Sequence, residues 1–464
     1  MRFARPVTPM ERLFSRSPYS IVTLVARIRG TVSESMLRDA VAKARRRHTH
    51  LRVRIVDDDD GNPCFTSEGA GALPVEVVPR QSADQWIKVV RETCKVPFQF
   101  DAHPPIRFIL VQSPDASELV ILCHHIICDG LSLAYLARDL LAYLGDPDRA
   151  VERLPDPEPI TRDTMPEDLS LNPVVRFLIR RMNRRWETEK VVFDHEDYRD
   201  LNAAYWMYFD HKMLSLELSE AQTSDIVDRC RSEGVTVNSA LTAAFVGAQT
   251  VVQGRRPHHA SIGVAASLRD RLRRPVSGAM GFYAAVVTLT CRYQSHRGFW
   301  DNARRFHRRV RPLLTNEKLF QDPLTWSYLE PSILESIHFK KVGGLVLEHF
   351  PRYQKLSAFC DRDDIVLRLL KRDKMDSLDQ IALGTAVTNL TRLDFPRAYG
   401  ALELDRLIMK PGGAFPLANV NLLLGAVTCA GKLSLMAEFV EENLSVSTME
   451  EIGNRALEWL LWGE

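Results

Sequence analysis

Two apolar runs joined by a short turn, and followed at once by a helix, dominate the first third of the sequence. Residues 106–112 (IRFILVQ) and 118–125 (ELVILCHH) are rich in β-branched residues, which predicts two buried strands. The five residues between them (SPDAS) are typical of a turn. Leucines then recur at helical spacing over residues 131–144. We therefore expect an α/β protein in which one buried strand ends at a pair of histidines.

Elements of the same kind are predicted on both sides of this hairpin. Residues 20–29 and 51–56 are predicted strands, and Ser33 is a predicted helix N-cap. A stretch rich in proline and acidic residues, 154–173, predicts a linker. A basic amphipathic helix follows over residues 174–190. Further strands and helices are predicted from about residue 205, including a helix that starts at Ser219 and Glu220 and another over 237–252.

The overall charge and the cysteines exclude some classes of function. Lysine and arginine total 61 against 59 aspartate and glutamate, whereas a dedicated nucleic-acid binder usually has a marked basic excess. The eight cysteines are scattered singly, which favours reduced thiols. No apolar run approaches the roughly 18 residues that a membrane span requires. We expect a cytoplasmic protein, although the arginine-rich N-terminus leaves a mitochondrial-type transit peptide open.

The adjacent histidines of the segment HHIICDG (residues 124–130) are the best candidates for chemistry. If strand geometry persisted through residue 125, the side chains of His124 and His125 would point to opposite faces of the sheet. One ring could then face a cavity and act as a base, while the other was fixed by packing. The alternative is that His125 is a hydrogen-bonded core histidine. Gly130 is expected to permit a close backbone approach or an unusual backbone conformation.

The pattern His–His–x–x–x–Asp–Gly resembles the signature of the condensation-domain-like acyltransferases at every fixed position. Other stretches resemble the family in the same order: RHTHLR (residues 47–52), AASLRDR (265–271) with the following GFY (281–283), TNL (388–390) and DFPRAYG (394–400). The segment DFPRAYG departs from the pattern of plant BAHD enzymes. The chain is closest in style to polyketide-associated acyltransferases and alcohol acetyltransferases, and the resemblance is weakest over residues 310–380.

The resemblance implies two chloramphenicol-acetyltransferase-like α/β lobes that form a pseudo-dimer, with the site in a tunnel at their interface. We place the N-terminal lobe at residues 1–175 and the C-terminal lobe at 176–464, with a linker near 152–190 and elements exchanged between the lobes. No cofactor is implied beyond the pantetheine arm of the acyl donor. A monomer is expected.

The resemblance also implies roles for individual residues. His125 would be the general base, and Asp129 would pair with an arginine of the second half, for which Arg269 is the candidate. His124 and Gly130 would be structural. Candidate substrate contacts are Asn389 and Gly281, although a structural turn is an equal reading for Asn389.

Three functions follow from these assignments. The first is transfer of an acyl group from a coenzyme A or acyl-carrier-protein thioester to a hydroxyl. The second is an amide-forming condensation, and the third is carrier-protein binding without catalysis. The intact histidine, aspartate and glycine count against the third. The sequence shows no neighbouring adenylation or carrier domain, which favours a free-standing transferase in natural-product or lipid metabolism.

Two further features have competing interpretations. Cys128 close to the histidines suggests zinc or a nucleophile, but no second ligand cluster exists in the sequence, so no metal is expected.

The basic helix is most simply a solvated face. It would otherwise dock an acyl carrier protein or coenzyme A phosphates through Arg180, Arg181, Arg184 and Arg185, and its apolar residues also allow contact with a membrane surface.

Overall fold

The structure is a computed structural model that describes residues 3–366, 368, 383–412 and 420–463. The strands are β1 (Ala4–Pro6), β2 (Ile21–Arg29), β3 (Arg54–Asp57), β4 (Pro63–Thr66), β5 (Val75–Pro79), β6 (Ile106–Gln112), β7 (Ala116–His124), β8 (His211–Glu217), β9 (Ser261–Ser267), β10 (Ala284–Thr290), β11 (Leu383–Leu393), β12 (Ala398–Tyr399), β13 (Leu402–Lys410), β14 (Val420–Cys429) and β15 (Lys432–Val440).

The α-helices lie between these strands and cover the sheets. They are α1 (Pro9–Arg12), α2 (Glu34–Arg47), α3 (Gln85–Lys95), α4 (Gly130–Gly145), α5 (Pro173–Glu189), α6 (His195–Tyr208), α7 (Glu220–Ser232), α8 (Val237–Val252), α9 (Phe299–Val310), α10 (Asn316–Leu319), α11 (Gln321–Trp326), α12 (Pro331–Val342), α13 (Tyr353–Asp361) and α14 (Val446–Trp462).

Two six-stranded sheets organise the chain into two lobes. The first has the order β12-β13-β2-β7-β6-β5, and the second has the order β10-β9-β11-β14-β15-β8. Each sheet has its own apolar core. Strand β7 lies in the middle of the first sheet and is buried along almost its whole length, as its continuous apolar run predicts. The predicted two-lobe α/β architecture is confirmed.

The lobes exchange one long strand. Strand β13 belongs to the second half of the sequence but pairs antiparallel with β2 of the first sheet, with Lys410 opposite Thr23. It also packs against β14 and β15 of the second sheet. Gly425 of β14 has no room for a side chain, because a Cβ atom there would overlap the carbonyl oxygen of Met409. This close crossing brings the end of β13 to the interface between the sheets.

A third apolar cluster is formed by helices α5, α6, α12 and α13. It packs on the segment that precedes β2. Tyr19 Oη lies 2.6 Å from His338 Nδ1, and Trp186 Nε1 donates to Ser332 Oγ at 2.8 Å. The boundary predicted at residues 175 and 176 falls inside α5, and the division of the chain at that point stays a prediction.

Most of the local predictions agree with the structure. Ser33 accepts a hydrogen bond from the Met36 amide and caps α2, and Ser219 caps α7 in the same way. The predicted strand over residues 51–56 is wrong at its start, because Thr49–Arg52 forms a 3-10 turn and β3 begins at Arg54. The described residues form no single helix that is long and apolar enough to cross a membrane.

Candidate active site

His125 lies one residue beyond the end of a strand, in a tight turn. Strand β7 ends at His124, which corrects the prediction that the strand extends to residue 125. The His125 amide still donates to the Ser20 carbonyl of the neighbouring chain segment at 2.9 Å. The turn then closes with the Cys128 amide donating to the His125 carbonyl at 3.4 Å, and α4 follows. The central strand therefore fixes the position of the histidine backbone.

The imidazole of His125 is held in one tautomer. Its Nδ1 atom lies 3.1 Å from the carbonyl oxygen of Cys128. A carbonyl oxygen can only accept, so Nδ1 carries the proton and donates it to this bond. In the neutral ring, Nε2 is then the unprotonated nitrogen, and none of the residues that the structure describes makes a hydrogen bond to it. This is the arrangement that a general base needs.

Aromatic rings and a glycine surround the imidazole. The Phe14 ring lies 4.8 Å from it, centroid to centroid, and Phe282 of the second lobe meets it edge-on at 5.4 Å. On another side, a Cβ atom at Gly412 would overlap the Cδ2 and Nε2 atoms of His125. Burial lowers the pKa of His125 to about 4, against the opposing effects of the Cys128 carbonyl and Asp129. The ring is therefore neutral at pH 7.

His124 has both ring nitrogens engaged inside the protein. Its Nε2 atom lies 3.0 Å from the Ser17 carbonyl, and its Nδ1 accepts from the Ile126 amide at 3.3 Å. The side chain is fully buried, and burial lowers its pKa to about 3. With no free nitrogen, His124 can orient the turn but cannot exchange a proton with a substrate.

Asp129 anchors the start of α4 and ties the two lobes together. Its Oδ1 atom accepts from the amide and the hydroxyl of Ser132, at 2.7 and 2.8 Å, as a helix N-cap. Arg269 of the second lobe donates to the same Oδ1 at 3.0 Å. The Tyr283 amide, also of the second lobe, donates to Oδ2 at 3.0 Å. The pairing expected from the resemblance is thus present in the structure. The carboxylate of Asp129 is occupied by Ser132, Arg269 and Tyr283, which is the arrangement of a structural anchor.

The other contacts of Arg269 complete this interlobe anchor. Its guanidinium donates to the Ala279 carbonyl at 2.9 Å and to Ser132 Oγ at 2.6 Å, and it stacks 4.6 Å from the Tyr283 ring. Gly281 exchanges hydrogen bonds with Ser132 through its amide and its carbonyl. A Cβ atom at Gly281 would lie 2.5 Å from the Tyr283 ring. These contacts give Gly281 a structural role, and its role in substrate binding stays a prediction.

A second ion pair joins the lobes close enough to His125 to affect its pKa. The Lys410 ammonium, from β13 in the first sheet, lies 2.7 Å from the Glu438 carboxylate of the second sheet. It also donates to the carbonyls of Ile21 and Pro411. Burial lowers the pKa of Lys410, but the neighbouring Glu438 outweighs this and the net pKa is raised. Both charges act on His125, because Lys410 lowers its pKa and Glu438 raises it.

Strand β11 has an irregular segment between Asn389 and Arg392, and Gly130 packs against Leu390 of this segment. Gly130 does not have a positive φ; a side chain is excluded there because a Cβ atom would lie 2.8 Å from Leu390. Asn389 Oδ1 accepts from the Thr391 amide at 2.7 Å, which is the structural reading. Asn389 also lines a cavity of about 1270 Å³ in the second lobe. His125 and Asp129 are not among the residues that line this cavity, so a substrate contact by Asn389 stays a prediction.

Helix α5 carries the four candidate docking arginines on its exposed surface. Arg180, Arg181, Arg184 and Arg185 are all exposed, and Arg185 is paired with Glu189 at 2.5 Å. Over the described ranges, no hydrogen bond or ion pair links these arginines to His125 or Asp129. A docking role for them stays a prediction.

Cys128 is poorly suited to nucleophilic attack. It is fully buried, its thiol lies 3.3 Å from the His124 carbonyl, and burial raises its pKa well above the ordinary value. No group of three or more histidine, cysteine or acidic side chains that could hold a metal ion was found within the described residues.

Several residues of the site were not identified from the sequence. Ser132 could have been found, because a serine three residues after Asp129 fits an N-cap motif. Phe14, Gly412, Lys410 and Glu438 could not, because they reach His125 only through the exchange of β13 and the packing of distant segments. Phe282 belongs to the GFY stretch that resembles the family, but the resemblance gave it no role.

The chain is similar to known proteins both in sequence and in fold. Residues 9–146 match the family model of the condensation domain, and this segment contains the turn with His125 and Asp129. By sequence, the match to this family model covers the N-terminal third of the chain. A nonribosomal peptide synthetase, agiA, of Aspergillus flavus is 29% identical over 137 residues, which is 29% of this chain and 2% of that protein. The chain therefore spans a very small part of this long relative.

By fold, the likeness to solved structures covers nearly the whole chain. The trichothecene 15-O-acetyltransferase TRI3 of Fusarium sporotrichioides superposes with a TM-score of 0.61, at 14% identity, over 99% of this chain and 95% of that one. Polyketide synthase associated protein 5 of Mycobacterium tuberculosis gives 0.59, at 15% identity, over 98% and 97%. At such identities the comparison shows the fold alone, and one fold can carry several chemistries.

Proposed function

We propose that the protein is an acyltransferase that moves an acyl group from a thioester to an acceptor hydroxyl, with His125 as the general base. The observation that carries this proposal is the hydrogen bond from His125 Nδ1 to the Cys128 carbonyl, which leaves Nε2 free to accept a proton. The match to the condensation-domain model and the fold shared with an O-acetyltransferase support the reaction class.

The reaction can be written from the residues present. Nε2 of His125 takes the hydroxyl proton as the acceptor oxygen attacks the thioester carbonyl carbon. The tetrahedral intermediate then collapses, the carbon–sulfur bond breaks, and the departing thiolate takes the proton from the imidazolium. The Cys128 carbonyl and the carboxylates of Asp129 and Glu438 stabilise the positive ring. Such acid–base catalysis contributes roughly 10²–10⁴-fold.

The protein's remaining contribution to the rate is to position the two substrates. The Asp129–Arg269 and Lys410–Glu438 pairs hold the two sheets at the imidazole, so a donor and an acceptor bound at this interface would meet there. The donor is a coenzyme A or carrier-protein thioester, whose pantetheine arm brings its own reactive sulfur. No residue role in this scheme requires a metal or another cofactor.

An amide-forming condensation is the second candidate, favoured by the sequence match to a nonribosomal peptide synthetase. The same base would serve an amine acceptor. A binding role without catalysis is less consistent with the structure, because binding alone does not require a neutral histidine whose unprotonated Nε2 can accept a proton.

The test is an assay of the purified protein with a panel of acyl thioesters, on coenzyme A and on a carrier protein, against hydroxyl and amine acceptors. Products are identified by mass spectrometry. Ester formation supports the proposal, and amide formation alone supports the second candidate. Binding of a carrier protein without turnover of any pair would contradict both.

A further inference from the structure

Helix α5 exposes large apolar side chains on its first two turns. Val174, Phe177 and Leu178 are exposed to 65%, 61% and 46%. Within the described part of the chain, seven of the twelve exposed large apolar side chains lie between residues 174 and 208. Four of them lie within one stretch of five residues on α5, Val174, Val175, Phe177 and Leu178, whereas single exposed apolar residues are usually scattered. Such a concentration marks a surface that meets an apolar environment.

The following turns of the same face are basic. At 100° per residue, Val174, Phe177, Leu178, Arg181 and Arg184 fall within an arc of roughly 120°. Residues 173–186 contain five arginines and no acidic residue. Across the ranges that the structure describes, no ion pair involves Arg180, Arg181 or Arg184. The outer face of α5 thus joins an apolar end to a basic end, and acidic residues follow only in the last turn, at Glu187 and Glu189.

The inner face of α5 is firmly attached to the protein. Ile179 and Trp186 are buried in the helical cluster, and the indole of Trp186 donates to Ser332 of α12. Asn183 donates to the Tyr328 carbonyl at 2.9 Å. The outer face is therefore presented by a rigid helix, and its apolar side chains are not required for the fold of the cluster.

We propose that the outer face of α5, residues Val174, Val175, Phe177, Leu178, Arg180, Arg181 and Arg184, binds the surface of membranes that contain anionic lipids. The apolar end enters the boundary between headgroups and acyl chains, and the guanidinium groups contact lipid phosphates. A convex face of one helix suits a bilayer, which requires no complementary groove. An acidic carrier protein would satisfy the arginines but would leave several large apolar side chains at 46–65% exposure to be matched by its own surface. The membrane is therefore the partner that the observations favour.

This proposal is independent of the acyl-transfer chemistry, so it is tested by binding alone. The full-length protein is sedimented with vesicles of phosphatidylcholine, and with vesicles of phosphatidylcholine mixed with phosphatidylglycerol. One variant carries Arg180→Glu, Arg181→Glu and Arg184→Glu, and another carries Phe177→Ser and Leu178→Ser. The matched control is Arg308→Glu with Arg309→Glu, two exposed arginines on α9 in the other lobe. Circular dichroism and thermal unfolding verify that each variant is folded.

We expect binding to the anionic vesicles, weakened by high salt. The triple arginine variant is expected to bind at least a hundredfold less tightly, since each lost arginine costs about a factor of five and each new glutamate is repelled by the anionic surface. The apolar variant also loses binding, and the α9 control keeps it. Equal binding to both vesicle types, failure to bind anionic vesicles, or equal loss in the α9 control would overturn the proposal. So would unchanged vesicle binding in the arginine variant accompanied by loss of carrier-protein binding, which would assign this face to the carrier.

Discussion

His125 Nδ1 lies 3.1 Å from the carbonyl oxygen of Cys128, three residues along the same turn. Because the turn is closed by the end of β7 and by the N-cap of α4, this bond is a product of the local backbone rather than of a distant partner. It fixes both the orientation of the ring and the nitrogen that carries the proton. The base role proposed for His125 rests on this contact.

The pH dependence of turnover is expected to report a depressed histidine pKa. Burial lowers the pKa of His125 to about 4, so the basic, neutral form predominates above that pH. We expect kcat/KM to stay level as the pH falls through 6.5, the ordinary histidine value, and to decrease only toward pH 4. An acid limb centred near 6.5 would contradict this assignment.

Folding stability must be followed in the same experiment. His124 and His125 are held neutral in the folded protein, with pKa values of about 3 and 4, whereas the unfolded chain protonates them near 6.5. Below pH 6.5 the unfolded state therefore binds more protons, and the free energy of unfolding decreases as the pH falls. Circular dichroism at each pH distinguishes lost activity from lost structure.

Removal of the Asp129 carboxylate is expected to destabilise the protein as well as the site. Asp129→Ala leaves the buried guanidinium of Arg269 without its counter-charge, which costs roughly 3–5 kcal/mol. The double variant Asp129→Ala/Arg269→Met is expected to recover part of that loss. Urea unfolding of the single and double variants measures both effects. An Asp129→Ala protein with wild-type stability and lost turnover would instead indicate a direct catalytic role.

A methyl group at Gly412 is expected to impair catalysis with little effect on the fold. Its Cβ atom would overlap the Cδ2 and Nε2 atoms of His125, so the imidazole must move. Displacement of a catalytic group by about 1 Å can cost on the order of a hundredfold in rate, and we expect a loss of this size in kcat/KM for Gly412→Ala. Gly298→Ala is the control, because nothing lies within 4 Å of its Cβ position. Equal activity of the two variants would contradict the close contact.

The Lys410–Glu438 pair is expected to set the pKa of His125 as well as to join the lobes. Lys410→Met removes a positive charge that lowers this pKa and leaves Glu438, which raises it. The acid limb of the kcat/KM profile should therefore move to higher pH, with a loss of roughly 3–5 kcal/mol in stability. In Lys410→Met/Glu438→Leu, only part of the stability should return, because His211 Nδ1, 3.0 Å from Glu438 Oε1, also loses this carboxylate. A limb that does not move in the single variant would show that the pair is structural only.

The part of the site that is local in sequence could be predicted from the sequence. A buried strand, two histidines, an N-cap and a helix follow one another within thirty residues, and the structure places them as that order implies. The strand nevertheless ends one residue earlier than its apolar run, because His125 turns away to bond with Cys128. Arg269 was identified only through family resemblance, since nothing in its own segment indicates a partner 140 positions away.

The rest depends on long-range topology. Gly412 lies in a sequence typical of a turn, PGG, but its contact with His125 arises because β13 crosses into the first sheet. Lys410 and Glu438 occupy ordinary positions on two late strands, and they become a buried pair only because β13 joins the first sheet while β15 stays in the second. The helical cluster built from α5, α6, α12 and α13 combines segments far apart in the chain, and residues 310–380 carried the weakest sequence signal.

The most direct test of the account is the turnover of His125→Ala with a thioester and acceptor pair that the wild-type protein uses. His296→Ala, at an exposed position, is the control, and thermal unfolding verifies that both variants are folded. We predict that kcat/KM of His125→Ala falls by roughly 10²–10⁴-fold, while the control is unchanged. A folded His125→Ala protein with wild-type turnover would contradict the assignment of His125 as the base.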